Sequence, residues 1–113
     1  MDKQADTRMN TQTVLGTWPS AAALRQVSGR WSLEVVAALR AGPLRNHALL
    51  RQLRGVSPKV LAETLRGLVH SGLVVRTEFD APARHVEYAL TAQGLALTAA
   101  LAALDAWALD RAD

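Results

Sequence analysis

The chain has 113 residues, which is enough for one compact domain and too few for a second, enzymatic one. Half of the residues are hydrophobic and only five are aromatic, and alanine and leucine dominate, which favours helices over a β-sandwich or barrel. The absence of cysteine excludes disulfides, thiolate metal sites and redox sensing through thiols. We therefore expect a mainly α-helical domain.

Positive charge is concentrated in the middle of the chain. The formal net charge is only +3, but the segment from Arg25 to Arg76 holds nine basic residues against two acidic ones, Glu34 and Glu63. A basic centre of this kind is typical of a surface that binds a polyanion. An arginine-rich surface that merely faces water has the same composition, so charge alone leaves both interpretations open.

The N-terminal segment carries no recognisable export signal. Residues 1–17 are polar and lack a hydrophobic period, so we expect a flexible tail there, followed by one domain over residues 18–113. The tail lacks the apolar core of a signal peptide, and no uninterrupted apolar run approaches ~20 residues. These features predict a cytoplasmic protein that does not enter a membrane.

Two helices are predicted at the start of the domain. The first is expected over residues 21–28, where Leu24 and Val27 would point inward before a terminating glycine. The second is expected over residues 33–42, with Ser32 as its cap. Its inward face should comprise Val35, Val36 and Leu39.

The next two predicted helices form a helix-turn-helix. The third covers residues 44–55 with Asn46 as its cap, and it ends in a tight glycine turn. The fourth covers residues 57–72, where Ser57 is the expected cap, a proline occupies the first turn and a glycine ends the helix. Its buried stripe should comprise Leu61, Leu65, Leu68 and Val69.

A β-hairpin and a last helix complete the predicted order. Residues 73–79 and 85–91 are β-rich runs separated by turn residues, so they predict a two-stranded wing beside the fourth helix. Thr91 is the expected cap of a final helix that runs to Arg111. The apolar stripe of this helix is wider than one small domain needs, which predicts a dimer contact through Leu97, Leu101, Leu104, Trp107 and Ala108.

The outer face of the fourth helix carries the candidate DNA-reading residues. On a helical wheel, Lys59, Glu63 and Arg66 lie opposite the apolar stripe, and a helix of this width fits the ~12 Å major groove of B-DNA. Lys59 and Arg66 suit guanine edges or phosphates. Glu63 suits a cytosine amino group or the orientation of Arg66, and Ser57 suits a phosphate at the helix N-terminus.

The neighbouring elements add cations to the same side. Arg84 and His85 at the wing tip are expected to reach a phosphate or the minor groove. An amphipathic helix that merely faces water has the same pattern as the fourth helix, and this context favours the DNA interpretation. The cations of the preceding helix that support it are Arg45, Arg51 and Arg54.

No catalytic, cofactor or metal site is predicted. The three histidines, His47, His70 and His85, lack the close paired spacing of zinc ligands. The chain contains neither a nucleophile motif of the G-x-S-x-G type nor a glycine-rich phosphate loop. We expect a protein that is not an enzyme and that needs no cofactor.

Four segments together resemble the HxlR branch of the MarR-like winged-helix regulators. They are SGRW at residues 28–31, GPLR at 42–45, VSPKVLAETLRGLVHSGLVVR at 56–76 and VEYALTAQG at 86–94. The last two are specific in combination, because a generic helix-turn-helix lacks the V-E-Y-x-L-T signature after its wing. The resemblance implies a winged helix-turn-helix, and a DNA-binding transcription regulator that we expect to be a repressor.

The resemblance also implies an assembly and a set of contacts. It implies a homodimer built through the first helix, around Leu24 and Val27, and through the last helix, on a pseudo-palindromic operator in double-stranded DNA. Arg45 and Asn46 match an Arg-Phe pair of the family, so the phenylalanine is missing here. The DNA contacts it implies are Arg45, Asn46, Ser57, Lys59, Glu63, Arg66, Arg84 and His85.

Regulation and an alternative function stay open at this point. Many members of the family carry a cysteine where this chain has Trp18, so members that respond to thiol oxidation are a poor guide to it. A small-molecule effector of unknown identity is compatible with the resemblance. The principal alternative is a winged helix that binds another protein and no DNA, because a fold alone does not fix a function.

Overall fold

The computed structural model describes residues 19–112, so the predicted tail at residues 1–17, Trp18 and Asp113 lie outside the described part. Within it, five α-helices accompany a small antiparallel sheet, and a 3-10 turn follows the second helix. This is a winged helix-turn-helix, as the sequence predicts. The elements are α1 (Pro19–Gln26), α2 (Ser32–Ala38), the 3-10 turn (Leu39–Ala41), β1 (Leu44–Arg45), α3 (Asn46–Gln52), α4 (Pro58–His70), β2 (Val74–Phe79), β3 (His85–Leu90) and α5 (Ala92–Asp110).

Two of the predicted helix caps are confirmed. The Ser57 hydroxyl oxygen accepts a hydrogen bond from the Val60 backbone N–H at 3.1 Å. Thr91 Oγ1 accepts from the Gly94 backbone N–H at the same distance. Each bond satisfies one of the backbone donors that a helix start leaves without a partner, and together they fix where α4 and α5 begin.

The other two predicted caps are wrong. Ser32 and Asn46 are the first residues of α2 and α3, and neither helix start has a side-chain cap. Arg45, which belongs to β1, holds the extended conformation that precedes α3, so the helix begins at Asn46, one residue earlier than a cap at Asn46 would place it. Ser32 is buried beside the turn, where its backbone N–H donates to Gly29 O.

The core lies between α2, α3, α4 and the sheet. Its most deeply buried residues confirm the predicted inward faces of the second and fourth helices: Val35, Val36, Leu39, Leu61, Leu65 and Leu68. Val69 was expected in the same stripe, but its side chain is exposed. It lies instead in a cleft between α4 and the sheet.

Of the two residues of the first helix that were predicted to point inward, only Val27 does so. Leu24 was expected to point inward, but it is 54% exposed. α1 ends at Gln26, and a turn in which the Val27 N–H donates to Leu24 O carries Val27 into the core. Val27 was also expected to contact a partner subunit, and that expectation is corrected because its side chain is already buried in its own chain.

The sheet has one strand more than the predicted hairpin. β2 and β3 pair from Val74↔Leu90 to Phe79↔His85, as expected for a wing. β1 adds to the other edge of β3 through Leu44↔Tyr88 and Arg45↔Glu87, giving the order β1-β3-β2. Because β1 has only two residues and pairs with a distant segment, no local pattern marks it.

The last helix is long and barely covered. Leu97 and Leu101 are half-buried against the core, while Leu95, Leu104, Trp107 and Leu109 are exposed. By length and composition alone, α5 could cross a membrane, and it is the one helix among residues 19–112 for which this holds. The expectation that no segment suits a membrane rested on uninterrupted apolar runs, and it missed this helix because polar residues interrupt the run without making it hydrophilic.

Candidate DNA-binding surface

The fold presents the charged face of α4 to solvent. The buried leucine stripe of α4 packs against the core, and this packing fixes the rotation of the helix about its own axis. Lys59, Glu63 and Arg66 are therefore all exposed on the side away from the core, as predicted. This face can offer two cationic donors and one carboxylate acceptor to a ligand with polar edges.

Ser57 stands at the N-terminus of this helix. Its hydroxyl oxygen is used as the cap, and its own O–H can donate at the same time, since a hydroxyl is both an acceptor and a donor. The partial positive charge of the helix N-terminus adds to its attraction for an anion. The geometry thus fits the predicted phosphate contact.

The segment before α4 contributes cations on α3 and β1. Arg45 is exposed at the strand that precedes α3, while Asn46 is half-buried at the start of the helix. One turn further, Arg51 Nη1 lies 2.6 Å from His47 Nε2. Arg45 is therefore the more accessible of the two residues assigned by the resemblance.

The two wing-tip residues that were predicted to contact DNA differ in their exposure. Arg84 is exposed in the loop between β2 and β3. His85, in contrast, is built into the wing: Nδ1 lies 2.8 Å from Ala83 O, and Nε2 lies 3.0 Å from Glu87 Oε2. Its ring also stacks on Phe79 with centroids 5.0 Å apart, and its side chain is only 11% exposed. His85 therefore makes its contacts within the wing, and its predicted contact with DNA stays a prediction.

Sequence reasoning missed Arg76 on β2. Its Nη1 donates to Glu78 Oε2 at 2.7 Å, and this bond, followed by an interaction with Tyr88, raises the pKa of Arg76 above its usual value. Arg76 and Arg66 line one cleft between α4 and the sheet. The signal for Arg76 was its place in the basic centre of the chain, although the period of a strand puts it on the same face as the apolar Val74, two residues earlier.

The three histidines do not come together. Within residues 19–112, no group of three or more histidine, aspartate or glutamate side chains is arranged to hold a metal ion.

The predicted dimer contacts fall into two groups. Leu97 and Leu101 pack partly on their own core, whereas Leu104 and Trp107 are 46% and 59% exposed. Ala108 and Leu24 are exposed as well. The residues available to a partner are therefore concentrated in the second half of α5 and on α1.

The chain resembles known transcription regulators over most of its length. The model of the HxlR-like helix-turn-helix family matches residues 26–113. The uncharacterized HTH-type transcriptional regulator YtfH from Escherichia coli strain K12 is 38% identical over 89 residues, which cover 79% of this chain and 71% of that protein.

Solved structures give the same result for the fold. A transcriptional regulator of the MarR family from Enterococcus faecalis V583 is 36% identical and superposes with a TM-score of 0.77, covering 83% of this chain and 88% of that one. The reduced form of the transcriptional regulator YodB from Bacillus subtilis is 28% identical, with a TM-score of 0.80 and coverage of 86% and 96%. The chain therefore belongs to the HxlR-like helix-turn-helix family of transcriptional regulators and has the winged-helix fold of MarR-like proteins.

Proposed function

We propose that the protein is a sequence-specific repressor that binds a pseudo-palindromic operator in double-stranded DNA as a homodimer. The observation that carries the proposal is the exposed, charged face of α4 beside an exposed arginine on the wing, on a helix whose rotation is fixed by a buried stripe. A protruding helix of this kind enters the major groove, where base edges carry a distinct donor and acceptor pattern.

Each residue on that face has a role that follows from its chemistry. Lys59 and Arg66 donate to guanine O6 and N7 or to phosphates, and Glu63 accepts from a cytosine amino group. Glu63 would repel phosphates, so its presence on this face favours a surface that reads bases over one that only binds backbone. Ser57 and Arg45 hold the backbone on either side of the groove.

In this proposal, the wing positions the protein on the duplex and contributes little to the reading of base sequence. Arg84 lies at the tip of a hairpin and can reach a phosphate or the minor groove, which carries a degenerate pattern. His85, Phe79 and Glu87 stiffen this tip from within. Arg84 therefore sets the register of the protein on the duplex.

A second copy of the chain is the proposed cover for α5. A two-fold partner can bury Leu104 and Trp107 against their own counterparts, because an isologous interface is self-complementary. The two α4 helices then reach half-sites roughly one helical turn, about 34–36 Å, apart. This explanation of the apolar helix agrees with a cytoplasmic DNA-binding protein, whereas insertion of α5 into a membrane would not.

Repression follows from where such a dimer sits. A dimer bound over a promoter blocks access of other proteins to the same stretch of DNA. A small-molecule effector that releases it stays a prediction from the family resemblance, and thiol oxidation is not available to a chain without cysteine.

The test is the salt dependence of binding to labelled duplex DNA. Each phosphate contact contributes about −0.9 to the slope of log K against log salt, so a dimer with several contacts should show a steep negative slope. A shallow slope, or no binding to any duplex together with salt-resistant binding to a protein, would instead support the protein-interaction alternative.

A further inference from the structure

The cleft between α4 and the sheet has a composition that neither the recognition helix nor the wing tip explains. Its walls carry two guanidinium groups, Arg66 from α4 and Arg76 from β2. Its floor is apolar, with the exposed Val69 and the half-buried Ala62, and Tyr88 closes the sheet side. Among the described residues that line this cleft, none is acidic.

This combination matches one feature of duplex DNA. A sugar-phosphate strand alternates an anionic phosphate with a largely apolar deoxyribose, so it suits paired cations above an apolar floor. With α4 in the major groove and the wing tip at the minor groove, the strand that separates the two grooves must run between them. The cleft between α4 and the wing is where that strand passes.

We propose that Arg76 clamps the sugar-phosphate strand between the two grooves against α4, where Arg66 reads a base, and that the exposed Val69 packs against its deoxyribose. This inference rests on the proposed DNA-binding function and adds a contact that neither the helix wheel nor the wing assigns. It also gives a reason why Val69 is exposed on a helix face that otherwise belongs to the core.

Glu78 orients the Arg76 guanidinium and leaves other N–H donors of that group available. The carboxylate accepts from Nη1 alone at 2.7 Å, and an arginine has five N–H donors, so donors remain for a phosphate. Both side chains of this pair are largely exposed, at 47% and 62%, and exposed pairs contribute little to stability. Removing the charge of Arg76 should therefore change DNA binding more than it changes folding.

The experiment compares Arg76→Gln with the parent protein on two duplexes, one enriched from a random library by the parent and one unrelated. Loss of a charge-assisted contact should lower affinity about tenfold or more for both duplexes. The slope of log K against log salt should become shallower by about 0.9 for each subunit, with base preference unchanged. Arg30→Gln is the matched control, because Arg30 is also exposed and also pairs with a carboxylate, that of Glu34 at 3.8 Å, but does not line this cleft.

Neutral methylphosphonates then locate the contact. Replacing single phosphates between the major-groove and minor-groove contacts should lower the DNA affinity of the parent protein at one position in each half-site. At that position, the same replacement should not lower the affinity of Arg76→Gln any further. Glu78→Gln tests a merely structural role, since it breaks the same ion pair yet keeps the Arg76 charge, so it should retain the salt slope of the parent.

The outcomes separate this inference from the function on which it rests. If the parent binds no duplex, the proposed function fails and the clamp with it. If the parent binds and Arg76→Gln matches it in affinity and salt slope, only the clamp is refuted. The clamp is also refuted if Glu78→Gln loses affinity and salt slope as Arg76→Gln does, or if Arg76→Gln changes base preference.

Discussion

Helices α4 and α5 are both capped by a hydroxyl side chain, yet they relate to the rest of the chain in opposite ways. α4 buries one leucine stripe completely and turns a charged face to solvent. α5 is six residues longer, and among its described residues only Gly94 is fully buried. The packing of α4 is thus complete within one chain, whereas that of α5 is not.

The difference shows which surface needs a polar ligand and which needs an apolar one. Lys59 and Arg66 are well solvated in the free protein, so their exposure does not lower the free energy of unfolding. Leu104 and Trp107 leave large apolar side chains exposed to water three residues apart on one helix, and exposed apolar groups of this kind favour an interaction site. In the proposed function, α4 therefore serves recognition and α5 serves assembly.

The largest effect is expected from charging the exposed half of α5. In a variant with Leu104→Glu and Trp107→Glu, unpaired carboxylates would be buried at the dimer interface, so the dimer should dissociate. Both positions are exposed in the single chain, so the monomer should keep its fold. We expect a monomer in analytical ultracentrifugation and operator affinity at least about 100-fold weaker, because each subunit alone keeps half the contacts.

Leu95→Glu is the control for this variant. Leu95 is also exposed, but it lies nine residues before Leu104 and therefore on the opposite side of α5, at ~100° per residue. It should leave the dimer and its DNA binding unchanged. If Leu95→Glu dissociates the dimer and the double variant does not, the interface lies on the other side of the helix.

A second contrast separates the glycines of the two helices. A Cβ on Gly94 of α5 would collide with the Leu73 carbonyl oxygen and crowd the Leu90 side chain. Gly94→Ala should therefore destabilise the protein by about 2–3 kcal/mol, as overpacking does. A Cβ on Gly67 of α4 would meet nothing within 4 Å, so Gly67→Ala should stabilise by about 0.5–1 kcal/mol. Urea unfolding of both variants checks the signs, and the same sign for both would contradict the packing described here.

Single substitutions on the outer face of α4 come next in size. Lys59→Ala and Arg66→Ala should each cost about 1–3 kcal/mol on the operator, and each should relax preference at one base pair per half-site. Their thermal unfolding should match that of the parent, because both side chains are exposed. Parent-like binding by both variants would move recognition away from α4.

The smallest effect is expected at the wing. Arg84→Ala should weaken binding to all duplexes by about 1 kcal/mol and leave base preference unchanged, because a backbone contact carries no sequence information. Competition between operator and random duplexes measures this. A change in base preference without a general loss of affinity would make Arg84 a base reader.

The parts of the fold that could be predicted are those with local causes. Ser57 and Pro58 mark the start of α4, Gly72 follows directly after its C-cap, and Gly72 takes the positive φ that such a terminator requires. The leucine stripe repeats at helical spacing, so its burial follows from the helix itself. The charged face opposite to it is then also fixed, which is why the main candidate site could be named from sequence.

The parts that could not be predicted depend on distant segments. β1 exists only because Leu44 and Arg45 pair with β3, forty residues later in the chain. Val69 is exposed because the sheet leaves an open cleft beside α4. His85 is withdrawn from the wing tip by Phe79 and Glu87, which face it across and along the hairpin. Strand periodicity places Glu87 on the face of His85, but the partner of β1 and the open cleft beside Val69 cannot be inferred from periodicity alone.

The most direct test of the central claim is selection of duplexes from a random library by the full chain, followed by sequencing of the bound pool. The account predicts an inverted repeat whose half-sites have centres about one helical turn, ~10–10.5 base pairs, or a multiple of it apart. The enriched sequence should be lost with Lys59→Ala and Arg66→Ala together. Enrichment of a single half-site without a repeat would contradict the dimer, and no enrichment at all would contradict sequence-specific DNA binding.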